Sequence, residues 1–354
     1  MDNDFLIVGQ GLAGSLLAYF LTQSGKKVFV IDAAYERAAS RVAAGLINPV
    51  TGRRYVKSWR IDELLPFAKA TYQALEAQMG ISIYHQRNIL RTLFNNREEN
   101  DWLLRTAEPG YEKYMLDKAD LEAYAEHTVP AFGYGEVAHC AQVNLPLLVD
   151  TFRSNLKDKN TLLEEPFDFQ QLVITTKGVR YKGHSAPQII FSEGHQAIRN
   201  PYFNYLPFGG AKGEVLIIKT EAVEFEKILK HRVFITPLGD QTYWIGAAYD
   251  WKYQDDLPTE AGRSFLINRL NDFLKVPYKI IEHRAAIRPT VKDRRPFLGQ
   301  HPQFAPLYIF NGLGTKGASL GPFWANEMVK YLIDGKALDK AVDIARFEKY
   351  FIPE

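Results

Sequence analysis

The chain has 354 residues, and its 43 basic and 41 acidic residues give a formal net charge of only +2. This balance excludes a global electrostatic attraction to nucleic acid or to an anionic membrane, and the length favours two domains. Cys140 is the single cysteine, which excludes an intrachain disulfide and a cysteine-based metal site. We therefore expect a cytoplasmic protein without a metal. With no long apolar run and no basic segment before the first strand, we expect neither a transmembrane helix nor a signal peptide.

The first predicted elements are a strand, a glycine-rich turn and a helix. Phe5–Val8 is an uninterrupted apolar run, typical of a strand that is buried on both faces of a parallel sheet. Three glycines follow with the GxGxxG spacing: Gly9, Gly11 and Gly14. The helical pattern begins within this motif, at Leu12 and Ala13. A second strand is predicted over 27–31, and it ends at Asp32.

Each of these residue types suits the binding of a dinucleotide. The glycines permit a tight turn, a close approach of the backbone to a pyrophosphate and close helix–strand packing. The helix N-terminus offers unpaired N–H groups to an anion, and Asp32 can accept a hydrogen bond from a ribose hydroxyl. An acid at this position disfavours a 2′-phosphate, so NAD or FAD is favoured over NADP. The alternative is an ordinary βαβ unit with an empty turn.

Two segments after Asp32 leave alternatives open. Residues 33–49 are rich in small side chains, which indicates either a flat ligand that passes close to the backbone or a short alanine-rich helix in the core. Residues 52–60 interleave four cations with two aromatic residues. Such a stretch can hold a phosphate, a substrate carboxylate or an RNA backbone, or it can be a solvated loop.

The middle of the chain predicts a mixture of helices and strands. Amphipathic helices are predicted over 62–79, 145–156 and 259–274. Strands are predicted over 81–85, 89–94, within 162–181 and over 188–191, the last ending in a turn that contains Gly194. Residues 205–251 alternate with a period near two and carry turn signals, so we expect an antiparallel sheet there.

A second strand, glycine loop and helix are predicted near the end of the chain. The strand covers 307–310 and the helix covers 322–333. The loop between them contains Gly312, Gly314, Thr315, Lys316 and Gly317. It offers backbone N–H groups, a helix dipole and Lys316 to an anion, and a reduced flavin gains negative charge at its N1 and C2 carbonyl edge. The alternative is a tight turn whose glycines only permit packing, with Lys316 in water.

Taken together, these motifs resemble those of the FAD-dependent D-amino acid oxidase (DAO) family, which includes glycine and sarcosine oxidases, amino acid dehydrogenases and the oxidase half of a bifunctional tRNA-modifying enzyme. The most specific block is Arg288-Pro289-Thr290 with Asp293 and Pro296, followed by residues 312–317. The resemblance implies an α/β fold with a Rossmann-like FAD-binding domain made of discontinuous segments and a substrate domain on a mixed or antiparallel sheet. We place the FAD-binding domain at 1–60, 140–204 and 284–354, and the substrate domain at 61–139 and 205–283.

The resemblance also implies site residues. It adds to the residues of the first turn and to Asp32 a set of further cofactor-binding residues: Ser40, Arg41, Ala44, Gly45, Gly194, Gly312, Gly314, Thr315, Lys316 and Gly317. Arg288 and Lys316 are the predicted catalytic residues, with Arg288 holding a substrate carboxylate in a two-pronged contact. The alternative for Arg288 is a structural ion pair at the edge of the core.

The implied reaction is oxidation of the C–N bond of an amine or amino acid by hydride transfer to flavin N5, giving an imine that water hydrolyses. Cys140 lies far from the block that binds flavin covalently in some relatives, so we expect noncovalent FAD. Sarcosine-oxidase-like members carry a lysine where this chain has Tyr243-Trp244, so the electron acceptor is oxygen or a carrier. The alternative substrate is a carboxymethylaminomethyl group on tRNA, which the loop at 312–317 also resembles, although the small net charge supplies little attraction to RNA.

Overall fold

The computed structural model describes residues 2–121 and 124–353. The helices within these residues are α1 (Leu12–Gln23), α2 (Ala39–Val42), α3 (Ile61–Met79), α4 (Asn96–Thr106), α5 (Leu145–Asp158), α6 (Glu260–Asn271) and α7 (Gly317–Asp334). The first strands are β1 (Phe5–Val8), β2 (Val28–Ile31), β3 (Leu46–Ile47), β4 (Val50–Thr51), β5 (Val56–Lys57), β6 (Tyr84–Gln86), β7 (Ile89–Leu93), β8 (Met115–Leu116), β9 (Gly133–Val137), β10 (Ala141–Val143) and β11 (Leu162–Leu163). The later strands are β12 (Val173–Thr175), β13 (Gly178–Tyr181), β14 (His184–Ala186), β15 (Gln188–Phe191), β16 (Ala211–Lys219), β17 (Ile228–Lys230), β18 (Phe234–Gly239), β19 (Thr242–Asp250), β20 (Lys279–Arg288), β21 (Phe297–Gln300) and β22 (Leu307–Asn311).

The chain divides into two compact units that are each assembled from separate segments. The first unit contains Met1–Arg41, Leu145–Ala211 and Ile287–Glu354, and the second contains Val42–Asn144 and Lys212–Ala286. Residues 42–60, which the sequence assigned to the FAD-binding domain, belong to the second unit.

The first unit is built on a sheet with the strand order β11-β2-β1-β15-β22-β21. Neighbours from β11 to β22 pair in parallel, and only the edge strand β21 is antiparallel to its neighbour. The side chains of β1, β2 and β22 are buried throughout, as expected for strands covered on both faces. Because the carboxyl ends of parallel strands meet at one edge, the residues that follow β1, β2, β15 and β22 lie together there. This confirms the predicted Rossmann-like fold.

Helices α1 and α7 of the first unit pack closely through glycine. A Cβ placed on Gly317 would lie 3.2 Å from Leu12 Cδ2, and one placed on Gly321 would lie 2.8 Å from Leu16 Cδ1. The first contact joins the first turns of the two helices, and the second contact joins their second turns. The N-termini of α1 and α7 therefore lie side by side.

The second unit is built on an eight-stranded sheet with the order β20-β16-β19-β18-β17-β7-β9-β8. The sheet is mixed, because β7 and β17 pair in parallel while the pairs β16–β19, β18–β19 and β7–β9 are antiparallel. One face packs against α6 through Leu266 and Leu270. On the other face, the side chains of Phe234 and Trp244 pack against residues 42–46.

Two of the elements that differ from their predictions are helices. The last helix begins at Gly317 rather than at Pro322, and it carries Pro322 inside its second turn. The missing proline N–H removes one helical hydrogen bond, but the large buried face of α7 holds the helix together. Helix α4 was not predicted, because Trp102 is its only buried residue and no apolar period marks it.

None of the helices in the described parts of the chain is both long and apolar enough to cross a lipid bilayer.

Candidate functional site

The first glycine turn lies at the carboxyl edge of the parallel sheet. Gly9 has φ +98°, and a Cβ there would lie 2.5 Å from the backbone oxygen of Ser192. A Cβ on Gly14 would collide with the backbone oxygen of Gly9. Both positions therefore require glycine. Gly11 is less confined, since its Cβ would meet only Ser40 Oγ at 3.3 Å.

Helix α1 begins in this turn without a cap of its own. The backbone of Gly11 forms the N-cap, no side chain caps it, and the first turn, which includes Leu12 and Ala13, carries no acidic residue. In contrast, Asn95 caps α4 and Thr259 caps α6 through their side chains. The free N–H groups and the positive end of the α1 dipole are thus available to an anionic ligand.

Asp32 follows β2 at the same edge, and its carboxylate is oriented by several donors. Its Oδ2 accepts a hydrogen bond from Gln10 N at 2.8 Å, and its Oδ1 accepts from Ala34 N at 2.7 Å and from Arg153 Nη1 at 2.6 Å. The side chain of Asp32 is still 19% exposed. A carboxylate has about four acceptor sites, so Asp32 can also accept from a ligand hydroxyl.

The sequence did not indicate Arg153, which lies on α5. Its guanidinium is buried, and it also donates to Gln10 Oε1 at 3.0 Å and forms an ion pair with Glu164 at 2.9 Å. Arg153 therefore joins Asp32 to the first glycine turn. The only signal that could have revealed it is a charged residue on the apolar face of an amphipathic helix.

The second glycine loop is held in place by Asn311 at the end of β22. Asn311 Oδ1 accepts from Gly312 N at 2.7 Å, while its amide nitrogen donates to the backbone oxygen of Gly194 at 3.0 Å. Gly314 N donates to Pro289 O at 3.1 Å. The predicted turn at Gly194, the loop at 312–317 and the Arg288-Pro289 block are therefore neighbours in the first unit.

Helix α7 starts from this loop without a capping side chain. Lys316 forms its N-cap with backbone alone, directly after Thr315, and the first turn holds no acidic residue. Burial lowers the pKa of Lys316, and the nearby charges of Arg294 and Arg295 lower it further. The N-terminus of α7 is thus electropositive, as the anion-binding prediction requires.

Arg288 is the last residue of β20 and is partly buried. Its Nη1 is shielded from solvent. The next two residues fix the chain, because Thr290 O accepts from Gly209 N at 2.8 Å and Pro289 O accepts from the glycine loop. Arg288 therefore has a rigid backbone beside residues predicted to bind the cofactor, and its role as a carboxylate-binding residue stays a prediction.

The segment at 40–45 has packing roles that the sequence left open. Ser40 and Arg41 lie in α2, and Arg41 forms an ion pair with Asp150. In the second unit, Ala44 is buried. A Cβ on Gly45, whose φ is +69°, would collide with the backbone oxygen of Val143. The close approach of the Val143 backbone and the positive φ explain why glycine stands at position 45. Cofactor contacts at Ser40, Arg41, Ala44 and Gly45 remain a prediction.

The basic stretch at 53–60 is partly neutralised by neighbouring carboxylates. Lys57 Nζ lies 2.5 Å from Asp62 Oδ2, and Arg60 Nη2 lies 2.6 Å from Glu63 Oε2. These pairs lower the net positive charge that this stretch can offer to a phosphate backbone.

Cys140 is fully buried in the second unit, and its Sγ donates to Val137 O. Burial raises the pKa of its thiol well above the usual range, which disfavours the reactive thiolate. This environment supports the prediction of noncovalent FAD. Among the described residues, no group of three His, Cys, Asp or Glu side chains is placed to hold a metal ion.

A parallel sheet with two glycine turns at its carboxyl edge, two uncapped helix N-termini and an acid after the second strand defines a dinucleotide-binding protein. Residues 4–331 match the family model described as DAO, FAD dependent oxidoreductase. The chain belongs to this family of FAD-dependent oxidoreductases.

Relatives and solved structures agree with this assignment. The chain is 26% identical to the bifunctional protein ThiO/ThiG of Trichormus variabilis, covering 99% of this chain and 56% of the relative. It is 23% identical to a glycine oxidase of Pseudomonas aeruginosa, covering 91% and 92% of the two chains. The glycine oxidase structure from Geobacillus kaustophilus matches 98% of this chain and 97% of its own, with a TM-score of 0.79 and 22% identity. The chain spans about half the length of the first curated relatives that it matches.

The residues present fit FAD. The collisions that a Cβ would cause at Gly9 and Gly14, the uncapped N-termini of α1 and α7 and the exposed part of Asp32 are the features that a dinucleotide with a flavin ring needs. We expect Gly11 and α1 to hold the pyrophosphate, Asp32 the ribose and the α7 N-terminus the flavin.

Proposed function

We propose that this enzyme oxidises the C–N bond of an amine or amino acid by removing a hydride from the carbon next to nitrogen, which leaves an imine that water hydrolyses. FAD supplies the hydride acceptor when bound. The observation that carries the proposal is the pair of adjacent, uncapped helix starts, because Leu12 of α1 packs on Gly317 of α7. One anionic, redox-active dinucleotide can interact with the N-termini of both helices.

Lys316 and the α7 N-terminus supply the electrostatic part of the proposed chemistry. Their positive potential would stabilise the negative charge of a reduced flavin held at this helix N-terminus. Lys316 is partly desolvated, so its charge is screened less than that of a surface lysine. This contribution needs no movement of the chain, because the loop is held by Asn311 and Pro289.

Arg288 supplies the proposed substrate contact. A guanidinium can donate two parallel hydrogen bonds to a carboxylate, which fixes the position of the carbon between that carboxylate and the amine. Holding two reactants in the right geometry can supply a large part of a rate enhancement, so the proposal includes no dedicated general base.

The electron acceptor remains either oxygen or a carrier. At the strand position where sarcosine-oxidase-like members carry a lysine, Tyr243 and Trp244 are buried. Tyr243 donates its hydroxyl to Val223 O at 3.0 Å, and Trp244 Nε1 donates to Val42 O at 2.8 Å. Both side chains are engaged in structural hydrogen bonds, and neither is the lysine that those members carry. This difference supports a carrier, rather than oxygen, as the electron acceptor. Stopped-flow reoxidation of the reduced enzyme with oxygen and with a quinone distinguishes the two acceptors.

The central experiment is an anaerobic bleaching panel. The purified protein should be yellow, and the flavin absorbance should fall when an amine or amino acid substrate is added without oxygen. The panel contains amino acids of both configurations, N-methylated amines and tRNA with and without the carboxymethylaminomethyl group. Bleaching by tRNA alone would overturn the proposed substrate class, and a colourless protein that binds NAD but not FAD would overturn the redox assignment.

A further inference from the structure

Glu193 lies in the middle of the sheet edge at which the cofactor is expected to bind. It comes two residues after the end of β15, and β15 lies between β1 and β22 in the parallel sheet. Asp32 follows β2 on the far side of β1, whereas the second glycine loop follows β22. A ligand that reaches from Asp32 to the α7 N-terminus must therefore pass the carboxyl end of β15.

The backbone of Glu193 is fixed between the two glycine turns. A Cβ on Gly9 would lie 3.1 Å from the Cα of Glu193, so Glu193 packs directly against the first turn. The backbone oxygen of the next residue, Gly194, accepts a hydrogen bond from the Asn311 side chain at 3.0 Å. Asn311 also holds the second loop through Gly312 N. Glu193 is thus anchored on both sides by the elements that form the two anion-binding turns.

In the described parts of the chain, the side chain of Glu193 has one hydrogen-bond partner, and that partner is neutral. Glu193 Oε2 accepts from Asn200 Nδ2 at 2.7 Å. Asn200 is fully buried and is itself fixed, because its Oδ1 accepts from Tyr202 N at 3.0 Å. None of the ion pairs among the described residues includes Glu193. An amide donor orients the carboxyl group but does not neutralise a charge on it.

Burial favours the protonated form of the Glu193 carboxyl. It raises the pKa of Glu193 to about 7, although the hydrogen bond from Asn200 acts in the opposite direction. The charged or titratable side chains on the surrounding elements are His195, Arg199, Tyr202, Asp32, Arg153 and Lys316. Burial and Asn200, rather than any of these groups, set the pKa of Glu193. The carboxyl therefore gains or loses its proton near neutral pH.

The charge of Glu193 matters because the cofactor is an anion. A carboxylate in the same desolvated edge would repel the pyrophosphate of FAD, whereas a protonated carboxyl avoids this repulsion and keeps an O–H donor. We propose that FAD binds to the form of the protein in which Glu193 is protonated, so that an ionised Glu193 takes up a proton from solvent when the cofactor binds. This role concerns the binding of FAD and is independent of the reaction that the bound cofactor performs.

Proton uptake gives the affinity for FAD a defined dependence on pH. Below pH 7 the carboxyl already carries its proton, so the dissociation constant of FAD should be nearly constant. Above pH 7 the binding of FAD must be accompanied by the binding of a proton, so the dissociation constant should rise with pH. Between about pH 6.5 and about pH 8.5 the rise should be roughly 10- to 25-fold.

The measurement starts from the FAD-loaded protein. Dilution at each pH releases the cofactor, and flavin fluorescence gives the dissociation constant. Glu193→Gln keeps the shape of the side chain and stays neutral at every pH. Its dissociation constant should therefore match that of wild type near pH 6.5 and should not rise by pH 8.5. Glu348→Gln removes an exposed acid from the same unit and should retain the wild-type dependence on pH.

The wild-type profile alone can overturn the proposal, even where Glu193→Gln fails to fold. A dissociation constant that stays constant or falls as the pH rises through 7 would show that FAD does not select the protonated carboxyl. A rise that persists in Glu193→Gln would assign the proton to another group, such as Lys316, whose pKa is lowered by burial, and would also overturn the role of Glu193. If no amine bleaches the flavin while the affinity for FAD keeps this dependence, the proposed reaction fails and the role of Glu193 stands.

Discussion

Asp32 and Arg153 illustrate what single residues contribute to the cofactor edge. Asp32 was predictable, because an acid directly after the second strand of a GxGxxG unit has a specific position relative to the turn. Arg153 was not predictable, since it lies 121 residues further along the chain and its contact depends on how α5 packs. The buried guanidinium holds the acid through side-chain and backbone oxygens. The orientation of Asp32 therefore depends on a residue outside the motif.

We expect Arg153→Met to weaken FAD binding about tenfold or more, because Asp32 and Glu164 lose their shared buried cation. The dissociation constant can be measured by flavin fluorescence during titration of the apoprotein. Arg180→Met is the matched control, since Arg180 is an exposed arginine in the same unit. Equal affinities in the two variants would show that Arg153 does not position Asp32.

The role of Arg288 is tested by separating substrate binding from cofactor content. Arg288→Ala should raise KM for a carboxylated substrate at least tenfold while the ratio of flavin to protein changes little, because the lost contact is charge-assisted and bidentate. Arg288→Lys should recover only part of the loss, since an ammonium cannot reproduce the planar fork. A parallel loss of flavin and activity would show that Arg288 is structural.

At the scale of elements, local patterns predicted most of the helices and strands. Helix α5 extends over Leu145–Asp158 against a prediction of 145–156, and α6 over Glu260–Asn271 against 259–274. The misses have physical causes. Helix α4 has almost no buried face to create a pattern, and the start of α7 depends on packing against α1 rather than on its own sequence.

Gly14 lies where helix α1 packs against the first glycine turn, and this contact gives a testable prediction. Gly14→Ala should destabilise the protein by roughly 1–3 kcal/mol and abolish flavin retention, because its Cβ would collide with the rigid backbone oxygen of Gly9. Thermal unfolding and flavin content after gel filtration measure both effects. Gly25→Ala is the control, since open space surrounds Gly25 and only its φ of +74° opposes the change. Flavin retention by Gly14→Ala would contradict the proposed close approach.

At the scale of the whole molecule, the sequence indicated two discontinuous domains but not their limits. Residues 42–60 show why: they follow the first βαβ segment without a linker, yet their burial partners, such as Trp244, lie about 200 residues away. The parallel pairing of β7 with β17 could not be predicted from the sequence either. Pairing between distant strands is information that local periodicity does not contain.

Global stability should depend on pH through His231 in the second unit. Its ring stacks on Phe273, with centroids 4.8 Å apart, and its Nδ1 lies 3.2 Å from Thr92 Oγ1. Burial, with the nearby charge of Arg232, lowers the pKa of His231 from 6.5 to about 4. Between these values the unfolded chain binds a proton that the folded chain does not, so stability falls as the pH is lowered from 6.5 to 4.

We therefore expect His231→Asn, which keeps a polar group near Thr92, to be less stable than wild type at pH 7 and to approach it at about pH 4. The loss of stability between pH 6.5 and pH 4 should amount to roughly 1–3 kcal/mol in wild type and should be absent from the variant. Urea unfolding monitored by circular dichroism across this range measures the difference. A constant difference between the two proteins at every pH would show that His231 titrates normally when folded.

The adjacency of Leu12 and Gly317 has a consequence for the timing of biosynthesis. The first glycine turn leaves the ribosome early, but the strand and helix that complete its surroundings, β22 and α7, are translated about 300 residues later. A nascent chain therefore carries an incomplete nucleotide cradle until α7 has been translated. The vitamin-derived cofactor can be captured in full only after that point.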